Sequence, residues 1–548
     1  MSGKLATYLV QFPQPSGVEM NVHLVLDEKP TRQDQKLKTL SKYIQKYPQG
    51  WKKRLELADL LYGMGSWEQA IAEYHQVIER SPQLMNVRLQ LGKILQMMKR
   101  EAEAIELYGS ALTLSCNQGT QHHINGLIAV CKGESQKAII AFDSAADLEP
   151  DKIVHWLALG QVQKGRENPI GALQAFSRVL SLNPDDIVAL IHSYDMLMVV
   201  GDFQEARQRL SKAIALAPDD FRVLERQLDQ RCGMGLVSGE EGKQTKKLIG
   251  SVLGQAPHAA EAYKSLAYYH IYRGDWAQGV GVLAEFTEQH PNHPSGWFYY
   301  GQCLFHTGEN QAAVEMMLKA YGLYPDDCEI YRALCKILPV EPHSLPFSDQ
   351  GRGVRKEGGN VNLTLIVGEM LKRFPERWSV WATTGRVLVE SLKEIERGCS
   401  VSVQGTQLQP HLPDAWFCHG RVLALALKHH EAVEALQQGW QLLPKAGGFL
   451  QSVPAAVWLG ESYQVLGDHA ASRKWWQEAC LQAKELMTFN PATADYWQGR
   501  ALERLEDTLG AMEAYRNALN LQLLYPPRRE VEGAVKRLQA MVRKSSRA

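Results

Sequence analysis

The chain lacks a surplus of charge, because 60 lysines and arginines are matched by 60 aspartates and glutamates. A balanced charge gives no bulk attraction for nucleic acid or for an anionic membrane, so any charge preference is local. No stretch approaches the roughly 18 to 20 consecutive apolar residues that a membrane span needs. The N-terminus also lacks the length and cleavage pattern of a signal peptide, and the sequence therefore predicts a cytoplasmic protein.

Motifs for catalysis and for metal binding are also absent. The nine cysteines form no CxxC pair, which predicts reduced, mostly buried thiols. The sequence contains no GxxxxGK[ST], GxSxG or HExxH motif. The nearest approach, His430-Glu431, lacks the second histidine that would reach the same face of a helix. These absences favour a chain without catalysis, cofactor or metal.

A period of 34 residues dominates the sequence. Alanines recur at this interval at positions 70, 104, 138, 172 and 206. Aromatic residues keep the same step at 74, 108, 142 and 176, and prolines close units at 82, 150, 184 and 218. Such a period is typical of stacked helical hairpins, each of which cannot bury its apolar face alone.

This period and residue order resemble the tetratricopeptide repeat family, and the resemblance extends over residues 31–545. It implies an all-α fold, a right-handed α-solenoid built from helix-turn-helix units. It also implies a concave groove, lined by the first helix of each pair, that holds an extended peptide or a helix of a partner. Small residues at the eighth and twentieth positions of a unit are expected to let two helix axes approach closely.

The pattern divides the chain into five segments. Residues 1–30 form an N-terminal segment, in which alternation over residues 4–28 predicts a small β-hairpin. Residues 31–338 form the first arm of the array, with a degenerate unit at 221–257. Residues 339–361, rich in Gly, Pro and charge, are predicted to be an inserted loop or hinge. Residues 362–527 form the second arm, and residues 528–548 a capping helix with a basic tail.

Groove positions carry the prediction of a binding site. In the family, positions two, five, nine, twelve and thirteen of a unit tend to face the groove, and chaperone-binding members place lysine at five and asparagine at nine. Here those two slots hold pairs such as Leu89 with Lys93 and His123 with Leu127, so this clamp is absent. Later units place aromatic and basic residues there, and the predicted site comprises Lys264, Tyr268, Tyr272, Phe298, Gln302, Phe305, His306, Arg386, Phe417, Arg421, Tyr496, Arg500 and Arg504.

Aromatic residues beside arginines are typical of binding hot spots, and they predict a partner protein with acidic and apolar residues. We therefore expect a non-catalytic scaffold that holds a peptide or helix of a partner. The alternative is a recognition arm of a glycosyltransferase- or methyltransferase-type enzyme whose catalytic module is not in this chain. Self-association through the strand edges of the N-terminal segment is a third hypothesis. Stacking on arginines and aromatics would suit nucleic acid, but the balanced charge and the lack of a continuous basic stripe argue against it.

Overall fold

The computed structural model describes residues 32–338, 361–443 and 451–545, except for residues 65, 99, 256–258, 525 and 527. Over these residues the chain forms 28 α-helices and no β-strand, which confirms the predicted all-α solenoid. The β-hairpin predicted for residues 4–28 lies outside the described residues, as does most of the predicted loop at 339–361.

Helices alternate along the chain as pairs, followed by α28 (Arg528–Ser545). The first helices of the pairs, named A helices, are α2 (Trp51–Gly63), α4 (Met85–Met97), α6 (Gln118–Cys131), α8 (Ile153–Gly165), α10 (Ile187–Val200), α12 (Phe221–Gly233), α14 (Ala260–Tyr272), α16 (Pro294–Thr307), α18 (Cys328–Ile337), α20 (Trp378–Glu390), α22 (Pro413–Leu425), α24 (Ser452–Val465) and α26 (Pro491–Arg504). The second helices, named B helices, are α1 (Arg32–Lys46), α3 (Trp67–Arg80), α5 (Glu101–Leu114), α7 (Ser135–Leu148), α9 (Pro169–Leu182), α11 (Phe203–Leu216), α13 (Gly239–Gln255), α15 (Trp276–Gln289), α17 (Asn310–Leu323), α19 (Leu363–Arg373), α21 (Ile395–Leu408), α23 (His429–Gln441), α25 (His469–Leu486) and α27 (Thr508–Asn520).

The A helices lie on the inner side of the array. Each packs against the B helix of its own unit, and from α12 to α26 each also contacts the next A helix directly. Because the array bends toward the side on which neighbouring units touch, the A helices line the concave face. The pair α18 and α19 packs together across the inserted segment, and one apolar cluster runs from Val314 to Val387 through both of them.

A glycine in the A helix receives a large side chain of the B helix. Cβ atoms added to Gly126 and Gly160 would lie 2.6 and 2.5 Å from the rings of Phe142 and Phe176. These pairs stand at positions eight and 24 of their units. The same contact recurs between Gly92 and Tyr108, Gly420 and Leu436, Gly460 and Trp476, and Gly499 and Tyr515. The close approach of the two helices therefore depends on a missing side chain.

The proline that ends a B helix also accepts a hydrogen bond. The indole Nε1 of Trp156 donates to the carbonyl oxygen of Pro150 at 2.9 Å, and Trp297 donates to Pro291 at 2.8 Å. Trp381 with Pro375 and Trp416 with Pro410 repeat this contact at 2.8 and 2.9 Å. Each of these prolines lies two residues beyond the end of its helix, so the tryptophan satisfies a carbonyl of the turn and connects two consecutive units.

Two buried histidines meet between α6 and α8. The Nδ1 atoms of His123 and His155 are 3.1 Å apart, and Nε2 of His155 lies 3.1 Å from a carboxylate oxygen of Glu149. Since a carboxylate accepts, His155 donates from Nε2 and must accept at Nδ1 from His123. Burial lowers the pKa of His123 to about 4 and lowers that of His155 as well.

Distant units touch at the rim of the solenoid. Ser379 at the start of α20 donates its backbone N–H and its hydroxyl to Glu167, at 3.0 and 2.6 Å. The rings of Phe203 and Phe489 lie 4.1 Å apart, and the Nε1 of Trp276 donates to Gln522 at 3.2 Å. The units from α20 to α27 therefore contact earlier units at the beginning and at the end of this stretch.

Adding a methyl group at the helix contact should destabilise the array. We expect Gly160→Ala to lower the free energy of unfolding by about 1–3 kcal/mol, because overpacking forces the Phe176 ring and the backbone apart. Gly109→Ala is the matched control, because a Cβ there meets nothing within 4 Å. Thermal unfolding followed by circular dichroism measures both, and an unchanged midpoint for Gly160→Ala would contradict the packing.

Stability should fall in acid because of the histidine pair. The ordinary pKa of histidine is 6.5 and that of folded His123 is about 4, so between these values the unfolded chain binds a proton that the folded chain does not. The free energy of unfolding should therefore decrease as the pH drops from about 6.5 to about 4. Burial lowers the pKa of His293, His306 and His419 as well, so His123→Gln should make this dependence less steep in denaturant titrations without removing it. His122→Gln, at an exposed site, should leave the slope unchanged.

Candidate functional site

The predicted residues in α14 and α16 mostly contact other parts of the same chain. The ammonium group of Lys264 lies 3.0 Å from Glu225 and 3.7 Å from Asp229, so its charge is neutralised. These groups adjoin a network in which Asp195 pairs with Lys164 at 2.8 Å and with Arg226 at 3.1 Å. This part of the concave face therefore has internally balanced charges.

The aromatic residues of this first set lie beneath the connection between α27 and α28. Tyr268 and Tyr272 are half-buried and pack in one cluster with Leu524. His306 donates from Nδ1 to the carbonyl oxygen of Leu524 at 3.1 Å. Phe298 packs against the apolar cluster of α17–α20, while Gln302 and Phe305 are half-buried on α16. The chain itself thus covers much of this predicted surface.

Two residues predicted for the groove lie in the core instead. Phe417 is 1% exposed and fills the space left by Gly439, whose added Cβ would meet the ring at 2.8 Å. Tyr496 is 5% exposed and packs against α28, where its hydroxyl lies 3.2 Å from Glu530. Both stand at position five, which in these units points between the helices, so the prediction that they contact a partner is wrong.

A column of cations runs along the concave face of the later units. Position nine of three successive units holds Lys336, Arg386 and Arg421. Arg386 pairs with Glu390 at 2.8 Å, one turn away on the same helix. Partial desolvation, followed by the charges of Arg332 and Arg386, lowers the pKa of Lys336. Arg386 and Arg332 thus have carboxylate partners, whereas Lys336 and Arg421 form no ion pair among the described residues. Lys336 was missed from the sequence because the insertion splits its unit.

The carboxyl group of Asp414 offsets little of this charge. Burial raises the pKa of Asp414 to about 7, and its Oδ1 has no hydrogen-bond partner among the described residues. Burial therefore favours the neutral acid over the carboxylate at this position. The cations Arg332, Arg386 and Arg421 all act on the thiol of Cys418, one turn beyond Asp414. The face is thus basic although the chain as a whole is neutral.

A cavity of about 310 Å³ opens where the column reaches α22, α24 and α26. Its wall includes Arg421, Trp458, Glu461, Ser462 and Arg504, together with His429 at the start of α23. Arg421, Glu461 and Arg504 occupy groove positions of three consecutive units. Because the A helices are stacked side by side, residues that are about 40 apart in sequence meet around one space.

The side chains of the cavity are held in place by aromatic and ionic contacts. The guanidinium carbon of Arg421 lies 4.7 Å above the ring of Trp458, a cation–π geometry. Arg421 makes no ion pair with any residue that the structure describes. Glu461 in contrast accepts from Arg500 at 2.6 Å and from Arg504 at 3.1 Å. One carboxylate therefore serves two arginines, and the third is free to meet an anion.

Several polar atoms of this wall are buried without a partner. Among the described residues, no group hydrogen-bonds to Nε1 of Trp458, Oγ of Ser462 or Nδ1 of His429. Trp458 is 8% exposed and Ser462 1% exposed. No motif marks these three residues in the sequence, because the cavity depends on contacts between units.

One group in the described chain has the composition of a metal site. Ligand atoms of Glu167, Cys328 and Glu329 lie within 4.8 Å of one another. Glu167 already accepts two hydrogen bonds from Ser379, and Glu329 pairs with Arg332 at 2.8 Å. Burial also raises the pKa of the Cys328 thiol to about 12. These contacts hold the rim of the solenoid together.

Within the described residues, no helix combines the length and the apolar character required to cross a membrane.

Comparisons with known proteins agree with the helix-pair architecture. A family model for the tetratricopeptide repeat matches residues 55–115 and 264–327. No curated protein matches the sequence. Similar solved structures include YrrB, a TPR protein with an unusual peptide-binding site (19% identity, 35% of this chain and 98% of that chain, TM-score 0.22) and yeast Tom70 (14%, 78% and 98%, TM-score 0.39). A chain of the APC/C hetero-tetramer Cut9-Hcn1 matches at 12% identity over 93% of this chain and 96% of its own, with a TM-score of 0.39.

The stacked helix pairs and the concave face define an interaction scaffold of the α-solenoid class. The family match identifies tetratricopeptide repeats at residues 55–115 and 264–327, and the contact between positions eight and 24 recurs in units outside those ranges.

Substitutions at Phe417 and Arg421 should have different effects. We expect Phe417→Ala to reduce the free energy of unfolding by about 3–5 kcal/mol, because it empties a fully buried site. Arg421→Ala should change the unfolding midpoint little, since this arginine is partly exposed and pairs with no carboxylate. Thermal denaturation checks both, and equal losses would contradict the assignment of Phe417 to the core.

Proposed function

We propose that this protein is a non-catalytic scaffold that holds an acidic segment of a partner protein against the basic concave face of α18–α26. The observation that carries the proposal is the column of Lys336, Arg386 and Arg421, which continues into the cavity beside Trp458. An extended segment or a helix of the partner would follow the A helices, as in groove recognition generally.

The charge distribution supports this face over the rest of the concave side. Around α8–α14, Lys164, Arg226 and Lys264 are all paired with carboxylates, so an acidic partner would have to displace those ion pairs. Around α18–α22, Arg386 pairs with Glu390, but Arg421 has no carboxylate partner among the described residues, and desolvation followed by the charges of Arg332 and Arg386 lowers the pKa of Lys336. An acidic segment bound there would relieve repulsion that already exists in the free protein.

Partner binding should depend on these three cations. The triple variant Lys336→Glu, Arg386→Glu, Arg421→Glu should lose the proteins that the wild-type chain retains in a pull-down, because attraction is replaced by repulsion. Retention by the wild-type chain should also weaken as salt is raised.

The matched control is Lys137→Glu, Lys243→Glu, Arg397→Glu, which makes the same change of net charge on exposed helix surfaces of other helices. It should retain the partners at wild-type levels. Equal loss in both triple variants, or retention in both, would reject the basic face as the binding surface.

A further inference from the structure

The cavity beside Arg421 is lined by two residues whose hydrogen-bond donors have no acceptor among the described residues. Trp458 has only its indole N–H to offer, and the hydroxyl of Ser462 is unpaired as well. A buried donor without a partner lowers stability, because no hydrogen bond offsets the loss of its contact with water. Two such donors in one wall, beside an arginine without a carboxylate, indicate that the cavity is completed by a ligand rich in acceptors.

The balance of charge around the cavity sets the charge of that ligand. Arg421, Arg504 and the single carboxylate of Glu461 line the cavity, and Arg500 pairs with Glu461 from outside this lining. Together these groups leave a surplus of two positive charges. The helix α23 also begins beside the cavity at His429, and its N-cap, Lys428, makes no side-chain hydrogen bond to the first turn. The positive end of the helix dipole adds to the attraction for an anion.

These features fit a phosphate monoester better than a carboxylate. A phosphate monoester carries about −1.5 to −2 charges at pH 7 and presents three acceptor oxygens, which matches both the surplus of charge and the set of donors. A carboxylate brings one charge and two oxygens. A nucleic acid base is also a poor fit, because Arg421 already covers a face of the Trp458 ring and Trp497 meets that ring edge-on at 5.9 Å.

We propose that this cavity binds the phosphate group of a phosphorylated side chain in the partner segment. The proposal rests on the proposed function, in that the same concave face holds the partner, and it makes retention of that partner dependent on phosphorylation. Arg421, held over the ring of Trp458, would present its forked N–H groups to two phosphate oxygens. Trp458 and Ser462 would donate to the phosphate from the wall.

The probes for the test are inorganic phosphate, phosphoserine and acetate, each titrated into the full chain at constant pH and ionic strength. The readout is the indole N–H resonance of Trp458, assigned by its loss in Trp458→Phe. Phosphate and phosphoserine should shift it saturably, and acetate should bind at least tenfold more weakly. Arg421→Gln should weaken phosphate binding at least tenfold, while Arg397→Gln on α21 should not change it.

Ser462→Ala separates binding from folding. Because it removes a buried donor that has no partner, it should leave the unfolding midpoint unchanged or raise it, yet weaken phosphate binding several-fold. A shift by acetate as strong as that by phosphate, or no saturable shift by phosphate, would overturn the proposal.

Phosphatase treatment of the lysate distinguishes this inference from the proposed function. If treatment abolishes retention, the phosphate proposal is supported. If the basic face still retains its partners after treatment, the phosphate proposal fails and the scaffold function stands. If phosphate binds but the charge-reversed triple variant retains every partner, the proposed function fails instead.

Discussion

The structure depends on the contact between a glycine at position eight of a unit and the large side chain at position 24. Because glycine has no Cβ, the ring or branched side chain of the B helix reaches the backbone of the A helix, as Phe142 does at Gly126. This contact fixes the distance between the two helices of a pair, and alanine at position twenty is fully buried beside it. Stacking of such pairs then places the A helices side by side and creates the concave face.

The whole chain has equal numbers of positive and negative residues, but their charges are distributed unevenly along the concave face. Its middle part joins Asp195, Glu225 and Asp229 to nearby cations, and these ion pairs hold neighbouring A helices together. Its later part has cations at position nine and an aspartate, Asp414, whose pKa is raised by burial, so positive potential remains for a partner. Contacts at the rim, such as that of Phe203 with Phe489, hold the later units against the earlier ones. These contacts support the part of the solenoid that carries the basic face.

The fold could be predicted from the sequence because each helix pair is defined by local signals: small residues at two positions, a large side chain at a third and a closing proline. The site could be predicted only in part. Arg421 and Arg504 follow from their groove positions, and the cavity brings them together. Phe417 and Tyr496 share the groove pattern but are buried, because burial depends on the neighbouring unit. Trp458 and Ser462 carry no motif, and their role depends on the stacking of three helices, which no single segment encodes.

The most direct test of the account is hydrogen exchange of the full chain, free and bound to a partner captured by the wild-type protein. The account predicts that binding slows exchange in the A helices α18, α20, α22 and α24, whose inner faces would be covered, and leaves the B helices α21 and α23 unchanged. Slowed exchange confined to B helices, or to α4–α10 of the first arm, would contradict it.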